Sequence, residues 1–444
     1  MSILKRIISV IIFIALFLYI GEFLRYILIN DCYSFTRIMF HEFYTSKKNI
    51  DVAFVGSSHC MHSFVPSITD KKFNSYTFNM GSASQRLDGS CIMIKELCSF
   101  NKPKYIYLEL YPKIAYTKKY KDTTKMTETY VLSDYMRPSF RKIIYLLNAS
   151  SKDHYVNSFI LARRNWKQLL DFDYIIKNIQ KKHTEFYKNY KFYYELDTLK
   201  RKDMYYVEKG YCTSYKIFFS YWNDLAYGNL NAQIKMTEKN DWYKSLLDII
   251  NFCKKENIKL TFVIAPTPEW NIVGKKKYQE YHDFVQSIAD KYDLDFWDFN
   301  LCKPKYFDAS NLNLFKDTHH LNKFGSEQFS NIFADFINGK IAKEDLFYDT
   351  LQQKLNFEEP KIFGLARPSN YEKLKDFDAY IVSNRDKEIE YKIEVTSDKG
   401  KNRLIQDYSV NNKFKLSTKE HGKLTVSWRL ISDKDKINVI IADY

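Results

Sequence analysis

Short apolar strands and amphipathic helices alternate from residue 50 onward, stop, and resume far downstream. That interrupted rhythm constrains the fold more than any other feature. Asp51–Gly56 reads as a buried strand and Tyr76–Asn79 as a weaker one. Within Arg86–Phe100, Leu87, Cys91, Ile94, Leu97 and Cys98 recur at helical spacing. Tyr105–Leu110 follows Pro103 as a third strand. The pattern returns with a helix at Trp242–Lys255, a strand at Lys259–Ala265 ended by Pro266, and a helix at Tyr278–Tyr292. A short strand at Asp295–Phe299 and a helix at Lys323–Asn338 complete it. Strands alternating with helices predict a three-layer α/β domain whose parallel sheet, of about five strands, is covered on both faces.

The interruption, about 113–240, is rich in Tyr and Lys and too long for a loop, so a largely helical insertion or cap is expected. It lies inside an α/β domain spanning 48–345. After residue 345 the period changes. Ile389–Val395 and Leu424–Leu430 alternate strictly, and Phe377–Val382, Phe414–Leu416 and Ile437–Ala442 bring the count to about five strands. The expectation for 346–444 is an all-β sandwich. With 45% hydrophobic and 17% aromatic residues the chain can bury full cores, which excludes intrinsic disorder.

Residues 1–30 set the expected compartment. Lys5 and Arg6 precede Ile7–Gly21, in which Ser9 is the only clearly polar side chain; Glu22 and Arg25 follow, then apolar Tyr26–Ile29. Ile7–Ile29 approaches the ~20 residues needed to cross a bilayer. No small-x-small cleavage site follows it, which weighs against a removed signal peptide. The positive-inside rule puts the N-terminus in the cytoplasm and residues 31–444 outside, as a single-pass cell-membrane protein. The net charge of +15 is that of a Lys-rich solvated surface, or of a surface facing an anionic membrane or wall polymer. No compact Arg/Lys motif points to nucleic acid. The seven cysteines are scattered without a CxxC pair, which excludes zinc-ribbon and thioredoxin-like chemistry.

Two segments carry candidate chemistry. In Phe54–His59 a buried strand runs into Gly56 and two serines, where parallel sheets place their active sites. In Asp317–Gly325 a carboxylate and an imidazole three residues apart, Asp317 and His320, can serve one serine: the imidazole as base, the carboxylate as its orienter. His59, His62, His319 and His320 raise a metal site, but no carboxylate or Cys has metal-ligand spacing, so neither metal nor cofactor is expected. Glu109, at a strand's end, is either a group serving the pocket or, as strand-end carboxylates more often are, a solvated one; Gln85 and Arg86 are weak substrate contacts or solvated residues at a helix start.

Together these segments resemble the SGNH (GDSL-like) hydrolase superfamily. Gly56-Ser57-Ser58 stands where that family has Gly-Asp-Ser, so the resemblance implies Ser58 as nucleophile and one oxyanion donor. Asp317, His320, Asn322 and Gly325 match the family's last block, and Asn79-Met-Gly81 matches its second, implying Gly81 as the other donor. The third block's Asn is missing from Leu108–Pro112. The resemblance implies an SGNH/flavodoxin-like sheet over about 50–112 and 240–338. Within the superfamily the chain is most similar to the membrane-anchored, extracytoplasmic branch. That branch includes the D-alanine transfer protein of teichoic-acid synthesis and the alginate O-acetyltransferase-like proteins. It implies a serine acyltransferase or esterase adding or removing O-linked acetyl or D-alanyl groups on a cell-surface polysaccharide or teichoic acid. It also implies a partner membrane-bound O-acyltransferase. The alternative expectation is a non-catalytic, membrane-anchored binding or assembly factor on the same scaffold.

Overall fold

A computed structural model of the protein describes residues 3–443, apart from 33, 113–125, 191–203, 219–221, 227–239, 274–277, 369–372 and 418–421. Side chains of 222–226, 442 and 443 are also outside the description. Much of the expected insertion, at 113–125, 191–203 and 227–239, therefore lies outside the described residues. The chain divides into two compact units: 1–110, 117–214 and 237–261 form the first; 111–116, 215–236 and 262–444 form the second.

The first unit opens with helix α1 (Ile3–Leu28), apolar and exposed from Ile7 to Ile20, half-buried at Leu24–Tyr26 and buried at Ile27 and Leu28. It is long and apolar enough to cross a membrane. Helix α2 (Phe35–Thr45), which periodicity had not singled out, is capped by the Ser34 hydroxyl accepting from the Arg37 N–H. Strands β1 (Val52–Val55), β2 (Thr77–Asn79) and β3 (Tyr105–Glu109) and helix α5 (Leu87–Phe100) appear as read, and two short helices that the pattern had not shown, α3 (Ser58–Ser63) and α4 (Pro66–Phe73), lie between β1 and β2. β1 is central to this trio and parallel to both neighbours, with Phe54 opposite Asn79 and Val55 opposite Leu108.

The described part of the insertion within this unit is mostly helical: α6 (Met126–Ser133), α7 (Phe140–Ala149), α8 (Tyr155–Phe159), a 3-10 helix (Leu161–Leu170), α9 (Phe172–Lys182) and α10 (Glu185–Lys188). An antiparallel hairpin, β4 (Met204–Glu208) and β5 (Tyr211–Ser214), follows. Helix α11 (Asp241–Lys255) packs on α5 with Leu246, Ile249, Ile250 and Cys253 buried.

The insertion also grips the end of α1. The last carbonyls of a helix lack intrahelical donors. Here the Leu28 carbonyl accepts from Asn165 Nδ2 and from the Tyr174 hydroxyl, both at 2.8 Å. Asn178 Nδ2 donates to the Ile27 carbonyl at 2.9 Å. The buried Lys182 ammonium donates to the carbonyls of Tyr26 and Ile29 at 2.8 and 2.6 Å and pairs with Asp31 at 3.2 Å. A cation at the negative end of the helix dipole is also electrostatically favourable.

In the second unit, β6 (Trp222–Ala226) comes from the segment expected in a helical insertion, yet it is a strand. It pairs parallel with β9 (Ile362–Arg367). The pairing is non-local, so no nearby pattern announces it. Strand β7 (Lys259–Ile264) enters from the first unit, and α12 (Glu269–Val273), α13 (Tyr278–Tyr292), β8 (Asp295–Asp298) and α14 (Lys323–Ile337) continue the α/β rhythm. The α/β sheet has five strands in the order β2-β1-β3-β7-β8, with the unit boundary inside β7.

The C-terminal strands are β9, β10 (Asp376–Ser383), β11 (Ile389–Ser397), β12 (Asn402–Ser409), β13 (Lys413–Ser417), β14 (Gly422–Leu430) and β15 (Asp433–Asp443). They form two four-stranded sheets, β13-β10-β9-β6 and β12-β11-β14-β15. Ala379, Ile381 and Leu416 of one sheet and Tyr391, Ile393 and Val426 of the other share one buried cluster. This is the expected sandwich, with more strands than the alternation alone revealed.

Candidate active site

The serine segment belongs to the first unit. β1 ends at Val55, Gly56 turns the chain, and Ser57 caps α3: its Oγ accepts from the His59 N–H at 3.2 Å. The register that sets Val55 opposite Leu108 brings the next residues of each strand together. Glu109 Oε2 accepts from the Ser57 N–H at 3.2 Å and from Ser57 Oγ at 2.9 Å. Ser57 and Glu109 are only 7% and 2% exposed. The Ser57 proton is therefore committed to a buried carboxylate, while Ser58, first residue of α3, is half-buried. Of the two readings of Glu109, the solvated one does not hold: the carboxyl group is buried and holds the serine turn. The signal that it would do so lay in the register of two strands, which no single-strand pattern contains.

Gly81 follows β2. A Cβ there would come within 2.5 Å of the Met61 nitrogen and 2.9 Å of Cys60 Cβ, so only glycine lets the β2 turn press against α3. Its N–H donates to Asn79 Oδ1 at 3.0 Å. Asn79 Nδ2 in turn donates to the carbonyls of Cys60 and Phe64. Asn79, which the sequence marked only as part of a matched block with no role, ties the glycine turn to the serine helix. The oxyanion role implied for Gly81 therefore meets an N–H that already has an acceptor.

Gln85 and Arg86 are buried, and their bonds run into the fold. Gln85 accepts from Ser82 Oγ and donates to Ser90 Oγ. Arg86 forks onto Asp88, bonds Thr129 Oγ1 and lies 3.5 Å from Glu128. Both hold the start of α5 to its neighbours, the helix-start role that the sequence left open beside substrate contact. His62 uses Nδ1 on the Cys212 carbonyl at 2.8 Å, a structural role.

The acid–base segment belongs to the second unit, in the loop before α14. Asp317 Oδ1 accepts from the backbone N–H groups of His319 and His320 at 3.0 and 2.9 Å, so the carboxylate organises its own loop. His320 Nδ1 lies 2.9 Å from Asp317 Oδ2. With Nδ1–H donating to the carboxylate, Nε2 is the basic nitrogen of the ring. Burial pushes the Asp317 carboxyl up, but His320 first, then His319 and Lys316, outweigh it and hold the group well below the usual carboxylate range. Asp317 thus stays ionised at any physiological pH.

Asn322 caps α14, its Oδ1 accepting from the Gly325 N–H, and its Nδ2 donates to the Asn313 carbonyl at 2.7 Å. Gly325 rests on Leu314: a Cβ would fall 2.1 Å from that carbonyl oxygen. The Asn and Gly of the matched block therefore shape the loop rather than act on a substrate. Asn271 Nδ2 holds the Thr318 carbonyl at 2.9 Å, and the Tyr111 ring stacks on His319 with centroids 6.3 Å apart.

No protein-family model matches the sequence, and no curated protein matches it. Among solved structures the chain is similar to a Bacteroides fragilis protein described as a putative acylhydrolase. The TM-score is 0.30 and the identity 10%, covering 68% of this chain and 94% of that one.

Proposed function

We propose that the protein is a membrane-anchored serine acyl hydrolase or acyltransferase in which Ser58, His320 and Asp317 act as a triad. The observation that carries this reading is the Asp317–His320 pair: an ionised carboxylate 2.9 Å from Nδ1 that fixes the tautomer a general base needs. Ser58 is the serine of choice because Ser57 is bound to Glu109. In the proposed reaction Ser58 Oγ bonds to the acyl carbonyl carbon as its proton passes to His320 Nε2. That proton then leaves with the departing alcohol, and the acyl-enzyme remains. Water or an acceptor hydroxyl next gives its proton to His320, takes the acyl group and restores the Ser58 hydroxyl. The Ser58 N–H is the leading oxyanion donor; Gly81 joins it only by releasing or sharing its bond to Asn79.

The anchor reading rests on α1. Its 26 residues exceed the bilayer's ~30 Å core at 1.5 Å per residue. Removing it as a signal peptide would leave the socket of Asn165, Tyr174, Asn178 and Lys182 without the carbonyls it holds, which favours a retained helix. An anchor with Lys5 and Arg6 inside places the rest of the chain outside the cell. There its substrates would be O-acyl groups of a cell-surface polysaccharide or teichoic acid, with a membrane-bound O-acyltransferase as donor-side partner.

The occupied Gly81 N–H favours a second reading, a non-catalytic binding or assembly factor. Labelling of the full chain in membranes by a serine-reactive fluorophosphonate separates them. Enzyme chemistry requires labelling that is lost in Ser58→Ala and His320→Ala. A wild-type protein that never labels supports the factor. Wall-polymer acyl content then gives the direction: deletion raises it for an esterase and lowers it for a transferase.

A further inference from the structure

The 3-10 helix Leu161–Leu170 and α9 are in contact with the end of α1, and each has two sides. On α9, Ile175 and Ile179 pack with Leu24, Tyr26, Ile27 and Leu28. Phe172 and Ile176 lie on the same stripe, one helical step round, yet are 71% and 51% exposed. In the 3-10 helix, Ala162 is buried against α1, Asn165 kinks the helix where it bonds the Leu28 carbonyl, and Leu170 is 87% exposed. Trp166 and Leu169 are exposed beside it. Around this apolar set the basic side chains Arg163, Lys167 and Lys177 are solvent-facing.

The position along α1 says what covers this surface. About twenty residues of α1 fill a hydrocarbon core, which places Leu24–Leu28, the part gripped by these helices, at the lipid–water boundary. An exposed ion pair of Glu22 with Arg25, at 2.7 Å, stands at the same level. An aqueous setting would not favour so much exposed aromatic and aliphatic surface around the end of a spanning helix. Basic residues beside Trp, Phe and Leu are the composition of helices that lie in a membrane interface. The polar clamp on four successive carbonyls, Tyr26 to Ile29, makes the joint rigid, so these helices keep one height relative to α1.

We propose that the 3-10 helix and α9 form an interfacial collar around the outer end of α1. Leu170, Phe172 and Ile176 dip into the acyl-chain region, and Arg163, Lys167 and Lys177 meet anionic lipid phosphates. The collar rests on the reading of α1 as a bilayer-spanning anchor. Its consequence is functional: the first unit, with Ser58, is held at a set distance from the lipid surface instead of swinging on a tether.

The test uses the full chain in phosphatidylcholine–phosphatidylglycerol vesicles. An environment-sensitive fluorophore is placed at Leu170→Cys, Phe172→Cys, Phe13→Cys in mid-α1, and Lys399→Cys in the exposed polar turn between β11 and β12, with labelled wild type as the blank for native cysteines. Nitroxide lipids are the quencher. The collar requires blue-shifted emission at 170 and 172, quenched by shallow nitroxides at least about twofold more than at 399. Quenching at 13 with 170 and 172 behaving like 399 overturns the collar and leaves the anchor standing. No quenching at 13 overturns the anchor reading, and the collar with it. Blue-shifted emission at 170 that ignores nitroxide lipids but follows protein density means that a protein surface covers the face, and also overturns the proposal.

Discussion

Replacing Ser57 by Ala and, separately, Ser58 by Ala should separate structure from chemistry at adjacent residues. Ser57 is 7% exposed, so water offers its partners little replacement. Its loss removes an N-cap acceptor, worth ~1 kcal/mol. It also leaves a buried acceptor, the Glu109 oxygen 2.9 Å away, short of a donor, which costs ~1–3 kcal/mol. The two effects share one side chain and are not strictly additive, so Ser57→Ala should cost about 2–4 kcal/mol. Ser58 is half-buried and Ser57, not Ser58, is the N-cap of α3, so Ser58→Ala should cost no more than about 1 kcal/mol. Activity should invert that order. Ser58→Ala should abolish fluorophosphonate labelling and lower ester turnover by at least ~10³-fold, while folded Ser57→Ala still labels. Thermal unfolding by near-ultraviolet circular dichroism in detergent, run beside the labelling gel, reads both quantities. A Ser57→Ala protein that melts like wild type refutes the part assigned to Glu109. A folded Ser57→Ala protein that no longer labels, beside a Ser58→Ala protein that does, moves the nucleophile to Ser57.

Asp317→Asn keeps an acceptor for the loop N–H groups but loses the charge that fixes the His320 tautomer; turnover should fall by ~10²–10⁴-fold with little change in melting, and an unchanged rate would remove Asp317 from the mechanism. Glu269 is buried in the second unit; burial, opposed by Lys354 and reinforced by Glu358, pushes its carboxyl up to about 8. Its folded pKa lies above the unfolded value of about 4.3, so the stability it contributes is fully present below that pH and is lost as pH rises through about 8. The unfolding free energy of wild type, from denaturant titrations, should therefore drop between pH 5 and pH 9 by an amount on the order of a few kcal/mol, and Glu269→Gln should flatten the curve; parallel curves for the two proteins would reject the assignment. Lys182→Met leaves Asp31 buried beside fewer cations and strips a donor from the Tyr26 and Ile29 carbonyls, a loss of about 3 kcal/mol, whereas adding Asp31→Asn should recover part of it. A single variant as stable as wild type would mean that the socket does not hold α1.

The α/β rhythm, the sandwich strands and the apolar first helix were legible in the sequence because each is a local pattern. A helix face repeats every three or four residues and a strand face every two, so neighbours along the chain carry the information. The acid–base loop belongs to the same class: Asp317 organises His319 and His320 through bonds spanning two and three residues, which makes Asp-x-x-His readable as a motif. The remaining features depend on partners that the chain brings together only by folding. Which of two adjacent serines is bonded to a buried carboxyl group is decided by Glu109, 52 residues from Ser57, through the register of β1 on β3. Whether Trp222–Ala226 is a strand depends on the edge of β9. Lys182 reads as one more surface lysine until α1's carbonyls, 153 and 156 residues earlier, are found against it. A buried charge or hydroxyl is paid for by a specific distant partner, and no periodicity in the chain encodes that partner's position.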